Sequence, residues 1–182
     1  MRLIGGLWKR SKLSVLDQPG LRPTPDRVRE TLFNWLGQDL SGWRCVDAFA
    51  GTGALGFEAA SRGASSVLLL ERDPALVAKL LQAKERLSAD MVEIQRVDAL
   101  VALARLAEGS VDLLLLDPPF ASDLAALALA QARRLLSPHG FVYLEAGSRC
   151  GDEALQQWGL SLHRYLKAGA VHAHLLQRRS ES

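Results

Sequence analysis

Four consecutive residues, Asp117-Pro118-Pro119-Phe120, form the most specific chemical motif of this chain of 182 residues. They follow an apolar run over residues 111–116, which is typical of a buried parallel strand. Because ligands bind at the carboxyl ends of strands in an open α/β sheet, a carboxylate, a backbone carbonyl and an aromatic ring would meet there. The set predicts a site for a planar ring that bears an amine, such as a nucleobase. The simpler interpretation is a turn stopped by two prolines.

A glycine-rich turn after an earlier strand is the second candidate site. Its spacing, Gly51-x-Gly53-x-x-Gly56, fits a dinucleotide-binding fingerprint, and Glu71 lies 20 residues after Gly51. A carboxylate at that place can accept hydrogen bonds from both hydroxyls of a ribose. Asp47 precedes the glycines, where it would repel a pyrophosphate but would suit a ligand that carries an amino group. A glycine turn without any ligand is the structural alternative.

These glycines require that a nicotinamide-dependent oxidoreductase be considered. Three features count against it: the position of Asp47, a strand-to-glycine turn longer than the fingerprint requires, and no second domain for hydride chemistry. Asp98, after the third predicted strand, could accept a hydrogen bond from an adenine amine. It could equally cap the helix that begins at Ala99, and the two roles do not exclude each other.

The remaining histidines and cysteines indicate little further chemistry. His172 and His174 lie two residues apart on a predicted strand and therefore face the same side. No acid or cysteine clusters with them in sequence, so we predict ordinary strand residues and no metal site. Two cysteines, Cys45 and Cys150, do not make a disulfide framework, which favours a reducing cytoplasm.

The elements that would position these residues alternate between strand and helix. The composition, 48% hydrophobic and 23% charged, is that of one globular domain, with no signal pattern and no membrane span. Thr24 is predicted to cap a first helix with Pro25 in its first position. Strand–helix alternation predicts parallel strands with right-handed crossovers, hence a doubly wound α/β sheet. The predicted strands are 44–49, 66–71, 92–96, 111–116, 141–145, 160–167 and 170–177, and the later helices are 54–62, 74–87, 99–107, 122–136 and 152–157.

Basic residues are concentrated at the start of the chain. Seven basic and two acidic residues precede Glu30, whereas the whole chain has a net charge of +2. Such a basic segment suggests a polyanionic partner, although a solvated surface segment is the alternative. Residues 1–22 are predicted to form a small hairpin or arm outside the core. The candidate contacts to such a polyanion are Arg2, Trp8, Lys9, Arg10, Lys12, Arg22 and Arg27.

Together these residues resemble the class I S-adenosylmethionine-dependent methyltransferases. Segments 2–10, 20–36, 47–56 and 117–120 are similar to the RsmD-type bacterial 16S ribosomal RNA (guanine-N2)-methyltransferases. The resemblance covers nearly the whole chain, including the arm, which is its most diagnostic part. It implies a Rossmann-like, mostly parallel seven-stranded sheet with an antiparallel last strand, and a catalytic domain over residues 23–182.

The resemblance also implies the chemistry. S-adenosylmethionine would be the methyl donor and a guanine of 16S rRNA in the small ribosomal subunit the acceptor, with ribosomal proteins as partners in assembled subunits. A cytoplasmic monomer is expected. The cofactor would contact Asp47, Gly51, Thr52, Gly53, Glu71, Asp98 and Ala99. The target base would contact Asp117, Pro118, Pro119 and Phe120.

Two further functions remain open at this stage. One is a DNA amino-methyltransferase, because Asp-Pro-Pro-aromatic motifs also serve adenine, but the chain has no evident target-recognition domain. The other is a non-catalytic assembly factor that binds rRNA. The joint presence of Asp47, Glu71 and Asp117 speaks against a fold that has lost its activity.

Overall fold

The computed structural model describes residues 1–14, 24–120 and 122–179. Arg22 and the predicted boundary between arm and catalytic domain therefore lie outside the described residues. The strands are β1 Arg44–Asp47, β2 Ser66–Glu71, β3 Val92–Arg96, β4 Val111–Leu116, β5 Leu136–Ala146, β6 Leu160–Ala168 and β7 Val171–Arg178. The helices are α1 Asp26–Trp35, α2 Ala54–Ser61, α3 Pro74–Leu87, α4 Ala99–Arg105, α5 Leu124–Leu135 and α6 Asp152–Gln157.

The described strands form a single sheet in the order β3-β2-β1-β4-β5-β7-β6. Strands β1 to β5 pair in parallel, whereas β7 runs antiparallel to both of its neighbours, β5 and β6. This confirms the predicted doubly wound, mostly parallel seven-stranded sheet with an antiparallel last strand. The strand order reverses between β1 and β4, and the crevice at such a reversal is where α/β sheets bind ligands.

Side-chain alternation along the strands divides the core between the two faces of the sheet. On β4, Leu113 and Leu115 pack with Leu32 and Phe33 of α1, while Leu114 and Leu116 pack under α4 and α5. Both faces are covered, which explains why the β4 sequence is almost continuously apolar. The pleat also directs Asp117, two residues beyond Leu115, toward the α1 face.

The prediction that Thr24 caps α1 is wrong. Helix α1 begins at Asp26, and its N-cap residue is Pro25, with no capping hydrogen bond from a side chain. The buried Thr24 hydroxyl instead donates to Asp117 Oδ2 over 3.4 Å. A long-range acceptor at the end of β4 has therefore displaced the local capping interaction.

Two other predictions are corrected by packing. The predicted helix 122–136 and the predicted strand 141–145 leave Pro138 and Gly140 between two elements, but both residues lie inside β5. The pairing of β4 with β5 shifts its register between Val111 and Leu113, and prolines in sheets are tolerated at such irregularities. The N-terminal segment was expected outside the core, yet Leu3 and Leu13 are both buried in it.

Candidate functional site

The turn between β1 and α2 is built so closely that it requires glycine. Gly51 and Gly53 have φ angles of +52° and +78°, in the left-handed region that other residues rarely adopt. A Cβ atom on Gly53 would lie 2.6 Å from Leu80 Cδ2 and 2.7 Å from Phe57 Cδ2. Gly53 is also the N-cap of α2, so the turn leads directly into a helix that packs against the core.

Asp47, the last residue of β1, is a buried carboxyl with one oxygen that lacks a partner. Its exposed fraction is 1%, and its Oδ2 accepts a hydrogen bond of 3.0 Å from Gly56 N. Among the described residues, Oδ1 has no hydrogen-bond partner. The Phe49 backbone lowers the pKa of Asp47, but by less than the Gly56 hydrogen bond does. Burial, reinforced by the charge of Glu71, raises the pKa of Asp47 to about 7. An ammonium group placed at Oδ1 would satisfy this oxygen and lower the pKa.

Glu71 joins the end of β2 to the glycine turn. Its Oε2 accepts from Gly51 N over 3.0 Å, and its Oε1 accepts from Arg72 N and Asp73 N over 2.8 and 2.9 Å. A carboxylate offers about four lone-pair sites, so about one remains, on Oε2. Glu71 therefore fixes the turn itself and can accept from one ligand hydroxyl, not from the predicted two, without losing a backbone contact.

Asp98 fulfils one of its two predicted roles in the described structure. Its Oδ1 accepts from Leu100 N and Val101 N over 3.0 and 3.2 Å, which caps α4. Its carboxyl is exposed and lies directly before the buried Ala99. The second carboxylate oxygen, Oδ2, can still accept a hydrogen bond from a ligand amine, so the other predicted role stays open.

The end of β4 brings Asp117 beside a second carboxyl that the sequence did not reveal. Leu116 of β4 pairs with Leu144 of β5, which places Asp117, directly after β4, beside Glu145 near the end of β5. Glu145 is only 2% exposed, and its Oε1 accepts a hydrogen bond of 2.8 Å from the Tyr143 hydroxyl. Thr24 supplies the hydroxyl that contacts Asp117.

Burial and mutual repulsion perturb these acids. Burial, followed by the charges of Glu145 and Asp47, raises the pKa of Asp117 well above its ordinary value. Burial also raises the pKa of Glu145, whereas hydrogen bonds from Thr24 and Tyr143 lower it. The pKa of the Tyr143 hydroxyl is raised well above its usual range by burial and by Glu145. Titratable groups with such perturbed pKa values cluster at functional sites.

The rest of the Asp-Pro-Pro-Phe motif leads from this acid pair, of which Glu145 is buried and Asp117 partly exposed, to the surface. Pro118 is buried and Pro119 exposed, and the Phe120 side chain is 46% exposed. A Cβ atom on Gly147, just beyond β5, would stand 3.6 Å from Phe120 Cβ, in ordinary contact. The motif thus combines an inner hydrogen-bond acceptor, Asp117, with an exposed aromatic ring, Phe120. This combination suits a flat ring that bears an amine.

The predicted arm is a hairpin that a buried ionic cluster fastens to helix α2. Arg2 pairs with Lys12 across the hairpin, and both are exposed, as are Lys9, Arg10 and Arg27. Trp8 is partly buried against the core, which leaves only part of its ring for a ligand.

The cluster centres on Glu58 of α2, a residue that sequence reasoning missed. Its carboxylate accepts from Ile4 N and Gly5 N over 2.9 and 2.7 Å. Two buried arginines, Arg29 at 3.5 Å and Arg62 at 2.9 Å, complete it. Arg29 therefore does not contribute to the basic surface, although it was counted with the arm. An acid among the apolar residues of α2 was the available signal.

The histidine pair behaves as expected in its orientation. Both His172 and His174 pack against the Tyr165 ring, on one face of the sheet. Within residues 1–14, 24–120 and 122–179, no group of three or more His, Cys, Asp or Glu could hold a metal ion. None of the helices described is long and apolar enough to cross a membrane.

Cavity shape does not identify the site. Two surface cavities are lined in one case by Ser66, Lys84 and Asp90, and in the other by Arg133 and Trp158. Both lie away from Asp47 and Asp117. The carboxyl edge is singled out by its chemistry, that is, by an unsatisfied buried acid, a glycine turn and a perturbed acid pair.

Comparison with known proteins identifies a family and relatives that span nearly the whole chain. The model of a family described as Conserved hypothetical protein 95 matches residues 1–177. The protein named ribosomal RNA small subunit methyltransferase D of Escherichia coli (strain K12) is 39% identical over 185 residues, covering 100% of this chain and 91% of that protein.

Solved structures show the same fold. The Escherichia coli protein yhhF superimposes with a TM-score of 0.87 at 37% identity, covering 100% of this chain and 99% of its own. The Burkholderia thailandensis 1,6-didemethyltoxoflavin-N1-methyltransferase superimposes with a TM-score of 0.66 at 15% identity, covering 90% of this chain and 80% of its own. That enzyme was solved with bound S-adenosylhomocysteine.

Proposed function

The chain belongs to the family described as Conserved hypothetical protein 95, and from this premise we propose that it methylates rRNA of the small ribosomal subunit. We propose further that S-adenosylmethionine is the donor and that the acceptor is the exocyclic N2 amine of a guanine in 16S rRNA. The observation that carries the proposal is the placement of Asp117. It stands at the carboxyl end of β4, beside the strand-order reversal, with a buried proline and an exposed aromatic ring following it.

The residues of the glycine turn fit S-adenosylmethionine. The orphaned Oδ1 of Asp47 suits the ammonium of its methionine part, and the remaining acceptor of Glu71 suits a ribose hydroxyl. Gly51, Thr52 and Gly53 would let the backbone lie close to the ligand. Asp98 and Ala99 would bound the adenine. When bound, this cofactor supplies an electrophilic methyl group on a sulfonium.

The protein's own contribution is to align a weak nucleophile. An exocyclic guanine amine shares its lone pair with the ring. Asp117 and the Pro118 carbonyl would accept its two hydrogens, which favours a pyramidal nitrogen with its lone pair directed outward. Phe120 would stack on the base and fix its plane, with Pro119 stiffening the turn. Alignment of this kind corresponds to roughly 7–11 kcal/mol in well-oriented systems.

The base has to leave its stack to reach this motif. The exposed hairpin cations Arg2, Lys9, Arg10 and Lys12, with Arg27 of α1, would contact phosphates, and the free part of Trp8 would contact a base. We assign residues 1–22 to RNA binding, Arg22 included, and residues 23–182 to the catalytic domain. Ribosomal proteins would be neighbours in an assembled subunit, and the enzyme would act as a monomer.

Methyl transfer from radiolabelled S-adenosylmethionine tests the proposal. The acceptors are small ribosomal subunits from cells lacking this protein, free 16S rRNA and duplex DNA, followed by nucleoside analysis. We expect label in N2-methylguanosine from rRNA. Label on adenine in DNA would show that the substrate is DNA and not rRNA. If the protein binds the cofactor but transfers no label, a role as a non-catalytic assembly factor would be favoured.

Asp117→Ala tests the assigned acceptor. Because Asp117 is assigned to the target amine and not to the cofactor, turnover should be crippled while cofactor affinity, measured by calorimetry, changes little. Asp123→Ala is the matched control, since Asp123 is an exposed acid beside the same loop and makes no capping hydrogen bond. Near-normal turnover of the Asp117 variant would refute the role.

A further inference from the structure

His174, on β7, is a buried histidine that holds a loop at the carboxyl edge of the sheet. Its side chain is completely buried, and its Nε2 accepts a hydrogen bond of 3.1 Å from the backbone N–H of Cys150. Its Nδ1 lies 3.4 Å from the carbonyl oxygen of Leu144 on β5. Residues 147–151 join β5 to α6 and are called the β5–α6 loop below. One imidazole thus connects this loop to two strands.

The hydrogen bonds of His174 determine where its proton lies. A backbone N–H can only donate, so the Nε2 that faces Cys150 carries no proton. The ring proton is therefore on Nδ1, from which it can be donated to Leu144 O. A proton added to Nε2 would set one N–H against another and would detach the loop. The anchor consequently requires a neutral imidazole in one particular tautomer.

The groups around His174 favour this neutral form. Tyr165 of β6 packs against the His174 and His172 rings at centroid distances of 5.2 and 5.9 Å. Arg149, which belongs to the β5–α6 loop, lies 4.9 Å over the Tyr165 ring. Burial, with the nearby charges of His172 and Arg149, lowers the pKa of His174 below its ordinary value. The loop is therefore attached through two successive residues, by the Arg149 side chain and by the Cys150 backbone.

The other end of the β5–α6 loop lies against Phe120. A Cβ atom on Gly147 would stand 3.6 Å from Phe120 Cβ and Cδ2 and 3.7 Å from its Cγ, so the Gly147 backbone borders that ring. Phe120 itself is 46% exposed, which makes the loop part of the support that its ring has. Only two residues separate Gly147 from Cys150, so a shift at Cys150 would be felt at Phe120.

We propose that His174 is a positioning residue for the target base: as the neutral Nδ1–H tautomer it anchors the β5–α6 loop, and the loop orients Phe120. The inference deepens the proposed function and rests on it for the role of Phe120. The anchor itself can be tested without any substrate. In the sequence His174 resembles an ordinary strand residue, because Cys150 lies 24 positions away.

Nitrogen-15 NMR of the imidazoles tests the tautomer. Near neutral pH, the His174 signals should show a protonated Nδ1 and an unprotonated Nε2, and they are assigned by their loss in His174→Asn. Since the folded pKa lies below the ordinary value of about 6.5, the anchor should be complete above that pH and should weaken as pH falls through the folded pKa. The Cys150 amide signal should shift with the same midpoint. The opposite tautomer, or a Cys150 amide that does not respond, would overturn the inference.

Asparagine and glutamine at position 174 separate the anchor from packing. The asparagine amide can replace Nδ1 but is too short to reach Cys150 N, whereas a glutamine carbonyl can take the place of Nε2. His172→Asn is the matched control, because His172 contacts the Tyr165 hydroxyl and not the loop. In protein labelled with carbon-13 in phenylalanine, the Phe120 ring signal should shift in His174→Asn and stay unchanged in His174→Gln and His172→Asn. Equal shifts in both asparagine variants would refute the anchor.

Methyl transfer to rRNA measures the functional effect. In His174→Asn, kcat/KM for rRNA should fall by about two- to tenfold, which corresponds to one uncharged hydrogen bond. His174→Gln should recover most of the rate, and the Kd for the cofactor should be the same in all three proteins. In a Phe120→Ala background, His174→Asn should lower the residual transfer no further, because both changes act through one ring.

The outcomes distinguish this inference from the proposed function. Equal losses with and without Phe120 would show that His174 does not act through that ring and would overturn the inference, while methyl transfer by the wild type would still stand. If the wild type transfers no methyl group to rRNA although the Phe120 signal responds to His174→Asn alone, the anchor is upheld and the proposed function fails.

Discussion

Replacing Glu58 by glutamine should loosen the N-terminal hairpin from the rest of the protein. Glu58 is completely buried, and its two oxygens accept from Ile4 N, Gly5 N, Arg29 and Arg62. Glutamine has nearly the same shape but no charge, and one of its oxygens becomes an N–H donor. Donors would then face donors at one end of the side chain, next to two buried guanidinium groups.

The expected loss follows from the burial of these partners. The Arg29 and Arg62 side chains are 0% and 5% exposed, and the second acid at Arg29, Asp26, is 75% exposed. Removing one partner of a buried ion pair costs about 3–5 kcal/mol, because the remaining charge stays out of water. In a chain of this size each kcal/mol lowers the Tm by about 2–4 °C. The Tm of Glu58→Gln should therefore fall by about 6–20 °C.

Thermal unfolding by calorimetry measures this shift, with Asp112→Asn as the control. The Arg44–Asp112 pair has a short contact of 2.9 Å, but its side chains are 46% and 23% exposed. Pairs near the surface contribute about 0–1 kcal/mol, so the control should lose less than about 4 °C. Tryptic cleavage at the exposed Lys9 should also become faster in Glu58→Gln. Equal Tm values for the two variants would refute the argument that burial makes the Glu58 cluster stabilising.

Three other changes have outcomes that follow from the site. Gly53→Ala should weaken cofactor binding and cost more than about 1 kcal/mol of stability, because φ is +78° and the new Cβ meets Leu80 at 2.6 Å; calorimetry measures both. The folded pKa of Asp47, about 7, exceeds the unfolded value of about 3.9, so its stabilising contribution is full below about pH 4 and is lost toward pH 7. The Tm difference between wild type and Asp47→Asn should accordingly grow in favour of wild type as pH falls from 7 to about 5, and a constant difference would contradict this. Alanine at both Lys9 and Arg10 should reduce the slope of log affinity for rRNA against log salt by about 1.5, since two phosphate contacts are lost; a slope equal to that of wild type would remove them from the interface.

The parallel strands were predictable because their patterns are local. The bounds of β2, β3 and β4 are confirmed as predicted. Strands β2 and β4 are mostly apolar runs that end at a charged residue or a turn, whereas β3 alternates apolar and polar residues before it ends at Arg96. The start of β5 was not predictable. Pro138 and Gly140 normally interrupt regular structure, and only the irregular pairing of β5 with Val111 accommodates them. That pairing depends on a partner strand and not on the local sequence.

The placement of the candidate site residues was predictable where they lie at the end of a strand. Glu71 ends β2 and Asp117 follows β4 directly, as the sequence indicates, whereas Asp47 ends β1 two residues earlier than predicted; parallel topology gathers such residues at one edge. Thr24 and Glu145 were missed for a physical reason. Thr24 reaches Asp117 across 93 residues of sequence, and its position before Pro25 fits a helix cap equally well. Only the packing of α1 against the sheet decides between the two.

Helix α2 connects the glycine turn, which is the proposed cofactor site, with the N-terminal hairpin, which is the proposed RNA-binding segment. Its N-cap Gly53 closes the cofactor turn, while Ser61 at its other end accepts from Leu7 N over 2.7 Å and holds the hairpin. Eight residues of helix span only about 12 Å, so both attachments act on one short rigid element. A ligand that orders the turn and an RNA that orders the hairpin would therefore stabilise the same helix. Linkage then requires each to increase the affinity of the other by an equal factor, and Glu58→Gln, which frees the hairpin, should reduce that factor toward one. Cofactor affinity measured with and without rRNA, in both proteins, decides whether α2 couples the two sites or merely supports them.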